Sequence, residues 1–214
     1  MKVTLNTSGS TSISKKIFHN NIEKYIDASI NETKLTSNDI VLDVFPSNVI
    51  AHYTITSQPA LAVGAHLIST NFDPYSYIQL FEEYRPTFIS LIPRHIEILS
   101  KLKSWKTLDM SCVRYMVTGS QKVTQPLINS LINNGVQLVA NWYGMTEFPP
   151  PVFIGYNTTS FDFTNTMYDI QFSNDGECII DGYYTKDIFD LSTKTFIRRK
   201  NEEINTTWKT NPVK

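Results

Sequence analysis

VRYMVTGSQKVTQPLINSLINNGVQLVANWYGMTE, residues 113–147, decides the fold. VRYMVTG (113–119) is a short apolar run ended by Gly119. TQPLINSLINN then opens a helix, with Thr124 as its cap and Gly135 as its stop. VQLVANWYG (136–144) is a second apolar run of strand length. A strand, a helix and a strand in such quick succession make one βαβ unit. Upstream the pattern repeats. DIVLDVF (39–45), AHLIST (65–70) and TFISLI (87–92) read as strands. Residues 48–63, the segment behind Asp73 and Pro74, and RHIEILSKL read as helices, with Asp73 as N-cap and Pro74 as first helical residue. Residues 2–6 read as a strand, and 16–33 as a helix with Ile17, Ile22, Tyr25, Ile26 and Ile30 on one face. This alternation predicts an α/β fold, a mostly parallel sheet with helices on both faces. After about residue 150 the rhythm changes to short antiparallel strands around turns such as Ser173–Gly176. The expected organisation is an α/β core at 1–150, a small β subdomain at 151–200 and a polar tail at 201–214.

Composition narrows the function classes. Among 214 residues, 41% are hydrophobic, enough for a sizeable core. Nineteen basic and 20 acidic residues give a net charge of −1, with no electrostatic pull toward nucleic acid or an anionic membrane. The two cysteines, Cys112 and Cys178, follow no metal spacing and read as reduced thiols of a cytoplasmic protein. No apolar run approaches membrane-spanning length.

In doubly wound sheets, ligands gather at the carboxyl ends of strands. Three polar clusters fall there. Ser8 to Lys15, within TLNTSGSTSISKK (4–16), follows the first strand. Gly9 permits close backbone approach, Ser8, Ser10, Thr11 and Ser12 offer hydroxyls, and Lys15 and Lys16 add charge near the next helix. Composition alone favours an ordinary solvated loop, and the glycine spacing of a Walker A loop is absent. Thr118–Gly119–Ser120 follows a second strand. Tyr143–Gly144–Met145–Thr146–Glu147 follows a third. There Thr146 suits a phosphate oxygen, Glu147 suits Mg²⁺ and Tyr143 offers a flat face to a purine. A strand-terminal turn with a packed tyrosine is the alternative.

TSGSTSISK followed by YGMTE, in that order at strand ends, resembles the adenylate-forming superfamily of acyl-CoA synthetases, nonribosomal peptide adenylation domains and luciferases. FPSNVIAH (45–52), GAHLIS (64–69), FDPYSYIQLFEEYRPTFISLIP (72–93) and VRYMVTGS (113–120) look like its succeeding blocks. DGECIIDGYYTKDIFDL (175–191) resembles the stretch ending in a ribose-binding Asp, here Asp187, with Lys186 where Gly is usual. FIRRKNEEIN (196–205) looks like the hinge segment, with Arg199 matching its Arg.

The resemblance implies roles. Thr7, Ser8, Gly9, Ser10, Thr11 and Lys15 would hold the ATP phosphates. Gly119 and Ser120 would border the adenine, with Tyr143 stacked on it at the turn of Gly144. Thr146 would touch the α-phosphate, Glu147 would bind Mg²⁺, Asp187 and Arg199 would meet the ribose, and His52 would flank the carboxylic acid. Thr146, Glu147 and Lys15 would carry the chemistry: adenylation of a carboxylate from ATP, with coenzyme A as a candidate acceptor. The other reading is a non-catalytic nucleotide- or acyl-binding module, or a subunit that completes a larger partner. Against the superfamily the chain is truncated at both ends. It lacks a residue to assign as the Lys of the C-terminal domain, and a second copy or a partner protein would cover the face of a missing N-terminal region.

Overall fold

The computed structural model describes residues 1–6 and 16–200. By backbone contacts the chain divides into two compact units, 1–167 and 168–214.

The first unit is built on a six-stranded sheet. Its strands are β3 (Ile40–Asp43), β4 (His66–Ser69), β5 (Phe88–Ser90), β6 (Tyr115–Gly119), β7 (Val139–Tyr143) and β8 (Phe153–Tyr156), in the order β4-β3-β5-β6-β7-β8. The first five are parallel and β8 closes the edge antiparallel to β7. Thus β8, at the start of the stretch read as the small β subdomain, hydrogen-bonds into the large sheet.

Alternation along each strand feeds two cores. One face carries Leu42, Ile89, Met116 and Val139 against Tyr77 and Phe81 of α3 (Pro74–Tyr84), Leu99 of α4 (Pro93–Leu99), Trp105 of α5 (Lys103–Lys106) and Ile128 of α6 (Gln125–Asn133). The other carries Val41, Phe88, Tyr115, Val117 and Trp142 against Ile55 and Ala60 of a helix that opens as a π-helical turn, His52–Ser57, and continues as α2 (Gln58–Val63). Asp73 caps α3 as read, accepting from the Ser76 N–H at 2.8 Å. Thr124 occupies the cap position of α6 but makes no side-chain cap hydrogen bond.

The reading of 16–33 as one helix is corrected. Lys16–His19 is strand β2, antiparallel to β1 (Val3–Asn6), and helix α1 starts at Glu23 and ends at Thr33. Alternating exposure along KIFH is that of a strand, and pairing with β1 satisfies its backbone. Lys16 therefore does not sit at a helix N-terminus.

The second unit is an antiparallel sheet of β9 (Ile170–Phe172), β10 (Glu177–Ile180), β11 (Tyr183–Asp190) and β12 (Thr195–Arg199), in the order β12-β11-β10-β9. The turn read at Ser173–Gly176 is present, closed by Gly176 N–H to Ser173 C=O at 2.9 Å.

Candidate active site

Neighbouring strands β6 and β7 deliver two of the polar clusters side by side, in a register that pairs Gly119 with Trp142. A Cβ on Gly119 would lie 2.1 Å from the Trp142 carbonyl oxygen, so only glycine lets the two strands meet here. Ser120 follows with φ of 62°, a left-handed conformation that a serine holds under strain. At the end of β7, a Cβ on Gly144 would fall within 2.8 Å of the Pro150 backbone. Its role is close approach of the returning chain. The Tyr143 ring is half-buried, with one face stacked on Phe153 at 5.4 Å and Phe161 edge-on at 6.2 Å. Thr146 and Glu147 are half-buried at the strand end. Among the described residues Glu147 has no hydrogen-bond or ion-pair partner.

His19 ties β2 to this cluster, its Nε2–H donating to the Thr146 carbonyl at 2.7 Å. The bond holds the β1–β2 hairpin to the YGMTE turn. Thr7, Ser8, Gly9, Ser10, Thr11 and Lys15 themselves lie outside the described residues. His52 lies at the carboxyl edge too, its Nδ1 2.7 Å from Asp43 Oδ2 at the end of β3. Neither His19 nor Asp43 was singled out from sequence. The signal for Asp43 was an acidic residue inside an apolar strand, which demands a buried partner.

In the second unit, Asp187 and Arg199 are direct cross-strand partners, with Arg199 Nε 3.9 Å from Asp187 Oδ1. Thr185 orders the segment: its hydroxyl donates to the Cys178 carbonyl at 2.8 Å and accepts from the Asp187 N–H at 3.1 Å. Lys186 has φ of 68°, so the backbone keeps a conformation that favours glycine although the residue is lysine.

One carboxylate, one hydroxyl and a half-exposed aromatic ring suit a nucleotide whose own phosphates complete the coordination of a hard cation. They do not make a self-sufficient metal cage. Among the described residues no three His, Cys, Asp or Glu side chains gather to hold a metal. Among the described residues, too, no helix is long and apolar enough to cross a membrane.

Residues 3–171 match the model of the AMP-binding enzyme family. The chain belongs to that family. Its relatives include an indoleacetate–CoA ligase of Aromatoleum aromaticum, 31% identical over 123 residues, covering 57% of this chain and 24% of that protein. A feruloyl-CoA synthase of Amycolatopsis sp is 28% identical over 151 residues, covering 69% and 30%. The chain thus spans about a quarter to a third of the length of these relatives. Among solved structures, the N-terminal domain of FACL13 from Mycobacterium tuberculosis matches with TM-score 0.74 at 20% identity, covering 92% of this chain and 60% of that one. The O-succinylbenzoate coenzyme A synthetase of Bacillus subtilis, in complex with ATP and magnesium, matches with TM-score 0.75 at 15% identity, covering 95% and 51%. At these identities the likeness establishes the α/β fold of adenylate-forming AMP-binding domains.

Proposed function

We propose that the chain carries the nucleotide site of an ATP-dependent, AMP-forming acid ligase of the acyl-CoA synthetase type. The observation that supports this reading is the side-by-side delivery of Gly119–Ser120 and Tyr143–Glu147 by adjacent parallel strands. The backbone at 119–120 borders the adenine and the Tyr143 ring stacks on it. The Thr146 hydroxyl donates to the α-phosphate. Glu147 would hold Mg²⁺, which neutralises phosphate charge when bound. Ser8, Ser10, Thr11 and Lys15 cradle the outer phosphates, Thr7 and Gly9 shape that loop, and Asp187 with Arg199 takes the ribose hydroxyls.

In the reaction a carboxylate oxygen attacks the α-phosphorus. The new P–O bond forms as the bond to the β-phosphate bridge breaks, and pyrophosphate leaves with the electron pair. Such a step asks the protein for positioning and charge neutralisation rather than for a proton relay. The acid lies near His52, coenzyme A is the proposed acceptor, and the cytoplasm is the proposed location. The relatives' printed names, indoleacetate–CoA ligase and feruloyl-CoA synthase, suggest an aromatic acid.

The test is exchange of labelled pyrophosphate into ATP across a panel of acids. Carboxylate-dependent exchange is the expected result. Its absence, with AMP still raising the melting temperature, would leave a binding module in place of a ligase.

A further inference from the structure

Thr146 and Glu147, the two residues given to the α-phosphate and the metal, are consecutive, so a single peptide group joins them. The peptide is planar, and only ψ of Thr146 and φ of Glu147 lie between their Cβ atoms. Those two angles set how the hydroxyl and the carboxylate point relative to each other. A donor that holds the carbonyl of this peptide restrains both. Within the turn, the Met145 N–H donates to the Phe148 carbonyl at 2.9 Å, and Gly144 packs on the backbone of Pro150. From outside the turn, His19 Nε2–H donates at 2.7 Å to the Thr146 carbonyl, which is the carbonyl of the shared peptide. Among the described residues neither the Thr146 hydroxyl nor the Glu147 carboxylate has a hydrogen-bond partner. The backbone is tied while the two side chains keep their capacity for a ligand.

The donor is itself held in place. His19 closes strand β2 and faces the buried Val3 across the hairpin. Its ring stands edge-on to Tyr25, a buried residue in the first turn of α1, at 6.3 Å and 85°. A carbonyl oxygen only accepts, so the proton of the bond sits on Nε2. The β1–β2 sheet shares no strand pairing with the six-stranded sheet. The imidazole is therefore a side-chain tie between two sheets, joining residues 127 positions apart.

We propose that His19 is a positioning residue for Thr146 and Glu147, an inference that rests on the nucleotide-site reading. It touches no part of the nucleotide and acts through the peptide between the two residues. Without the donor the Thr146 carbonyl turns toward water, and the hydroxyl and the carboxylate lose their mutual register. Sites of this kind work only when their groups are held within about 0.5 Å of the productive geometry. The loss is graded by how many of the two groups a ligand uses. Adenosine uses neither, AMP uses Thr146 through its α-phosphate, and Mg²⁺-ATP uses both.

The test is calorimetric binding of adenosine, AMP and Mg²⁺-ATP to the wild-type chain, His19→Gln and His19→Asn. The Gln amide nitrogen reaches the place of Nε2, whereas Asn is one methylene shorter and falls short of the Thr146 carbonyl. His19→Asn leaves adenosine unchanged, weakens AMP about threefold and weakens Mg²⁺-ATP about tenfold, the worth of one hydrogen bond. His19→Gln stays within about twofold of the wild type for all three ligands. Long-range proton–nitrogen NMR of the wild type at pH 8 shows the His19 proton on Nε2. Should His19→Asn fail to fold, His19→Phe, which keeps a ring against Tyr25 and lacks the donor, takes its place beside His19→Gln. Mg²⁺-ATP affinity unchanged in the donor-less variant, an equal loss for all three ligands, no rescue by His19→Gln, or a proton on Nδ1 overturns the proposal and leaves the nucleotide site standing. A wild-type chain that binds none of the three ligands overturns the nucleotide site and this proposal with it.

Discussion

Strand β3 is bracketed by two buried aspartates, Asp39 just before its amino end and Asp43 at its carboxyl end. Asp39 receives the Arg114 guanidinium as a fork, Nε to Oδ1 and Nη2 to Oδ2, both at 2.7 Å. The Thr87 hydroxyl donates to it at 2.7 Å, and the Thr36 N–H at 2.9 Å. Among the described residues the Asp43 carboxylate has only Phe45, Ser69 and His52 beside it, and buried hydroxyls without a partner stand on β5 at Ser90 and on β6 at Thr118. The amino edge is a closed network that contributes stability and has no capacity left for a ligand. The carboxyl edge gives up stability and keeps hydrogen-bonding capacity, as a site with a function does.

Substitutions can break this contrast, the largest effect first. Arg114→Ala leaves the Asp39 carboxylate buried without its counter-ion and should cost about 3 kcal/mol in urea unfolding. A loss under about 1 kcal/mol would mean that the amino edge is not closed. Acid titration probes the same group. Burial raises the Asp39 carboxyl, but Arg114, Thr87 and Thr36 outweigh it and hold it at about 2. A depressed folded-state pKa gives stability that is full above the unfolded value near 3.9 and fades as pH falls toward 2, about 2 kcal/mol in all. Asp39→Asn should flatten that part of the stability–pH curve. Thr87→Val removes a donor to Asp39 and the acceptor for the Ile40 N–H, at a cost of about 1–2 kcal/mol. The smallest effect belongs to the open edge. Ser90→Ala should be neutral or raise stability by up to about 1 kcal/mol, because it deletes an unpaired buried group. A clear loss would show that Ser90 is already satisfied.

Much of the fold was legible because the inner parallel strands β3, β5, β6 and β7 are buried on both faces. DIVLDVF, TFISLI and VRYMVTG read as apolar runs without ambiguity, and Asp73–Pro74 announced α3. Strand β2 was not, since Ile17, Ile22, Tyr25 and Ile26 also satisfy helical spacing and only pairing with β1 decides between the two. The π-helical turn leaves no periodic trace, being set by hydroxyls of Thr56 and Ser57 on one carbonyl. Within the site, Gly119 and Gly144 were recognised as special. That they meet the Trp142 carbonyl and Pro150 follows from long-range contacts which spacing cannot encode. The link from His19 to Thr146 joins residues 127 positions apart and has no local signature at all.

Hydrogen–deuterium exchange with and without AMP tests the central claim most directly. The account predicts slowed exchange in the segments 116–120 and 141–148, at the carboxyl ends of β6 and β7, with the Asp39–Arg114 edge unchanged. Protection that spares both of those segments, or that falls on the amino edge instead, would contradict it.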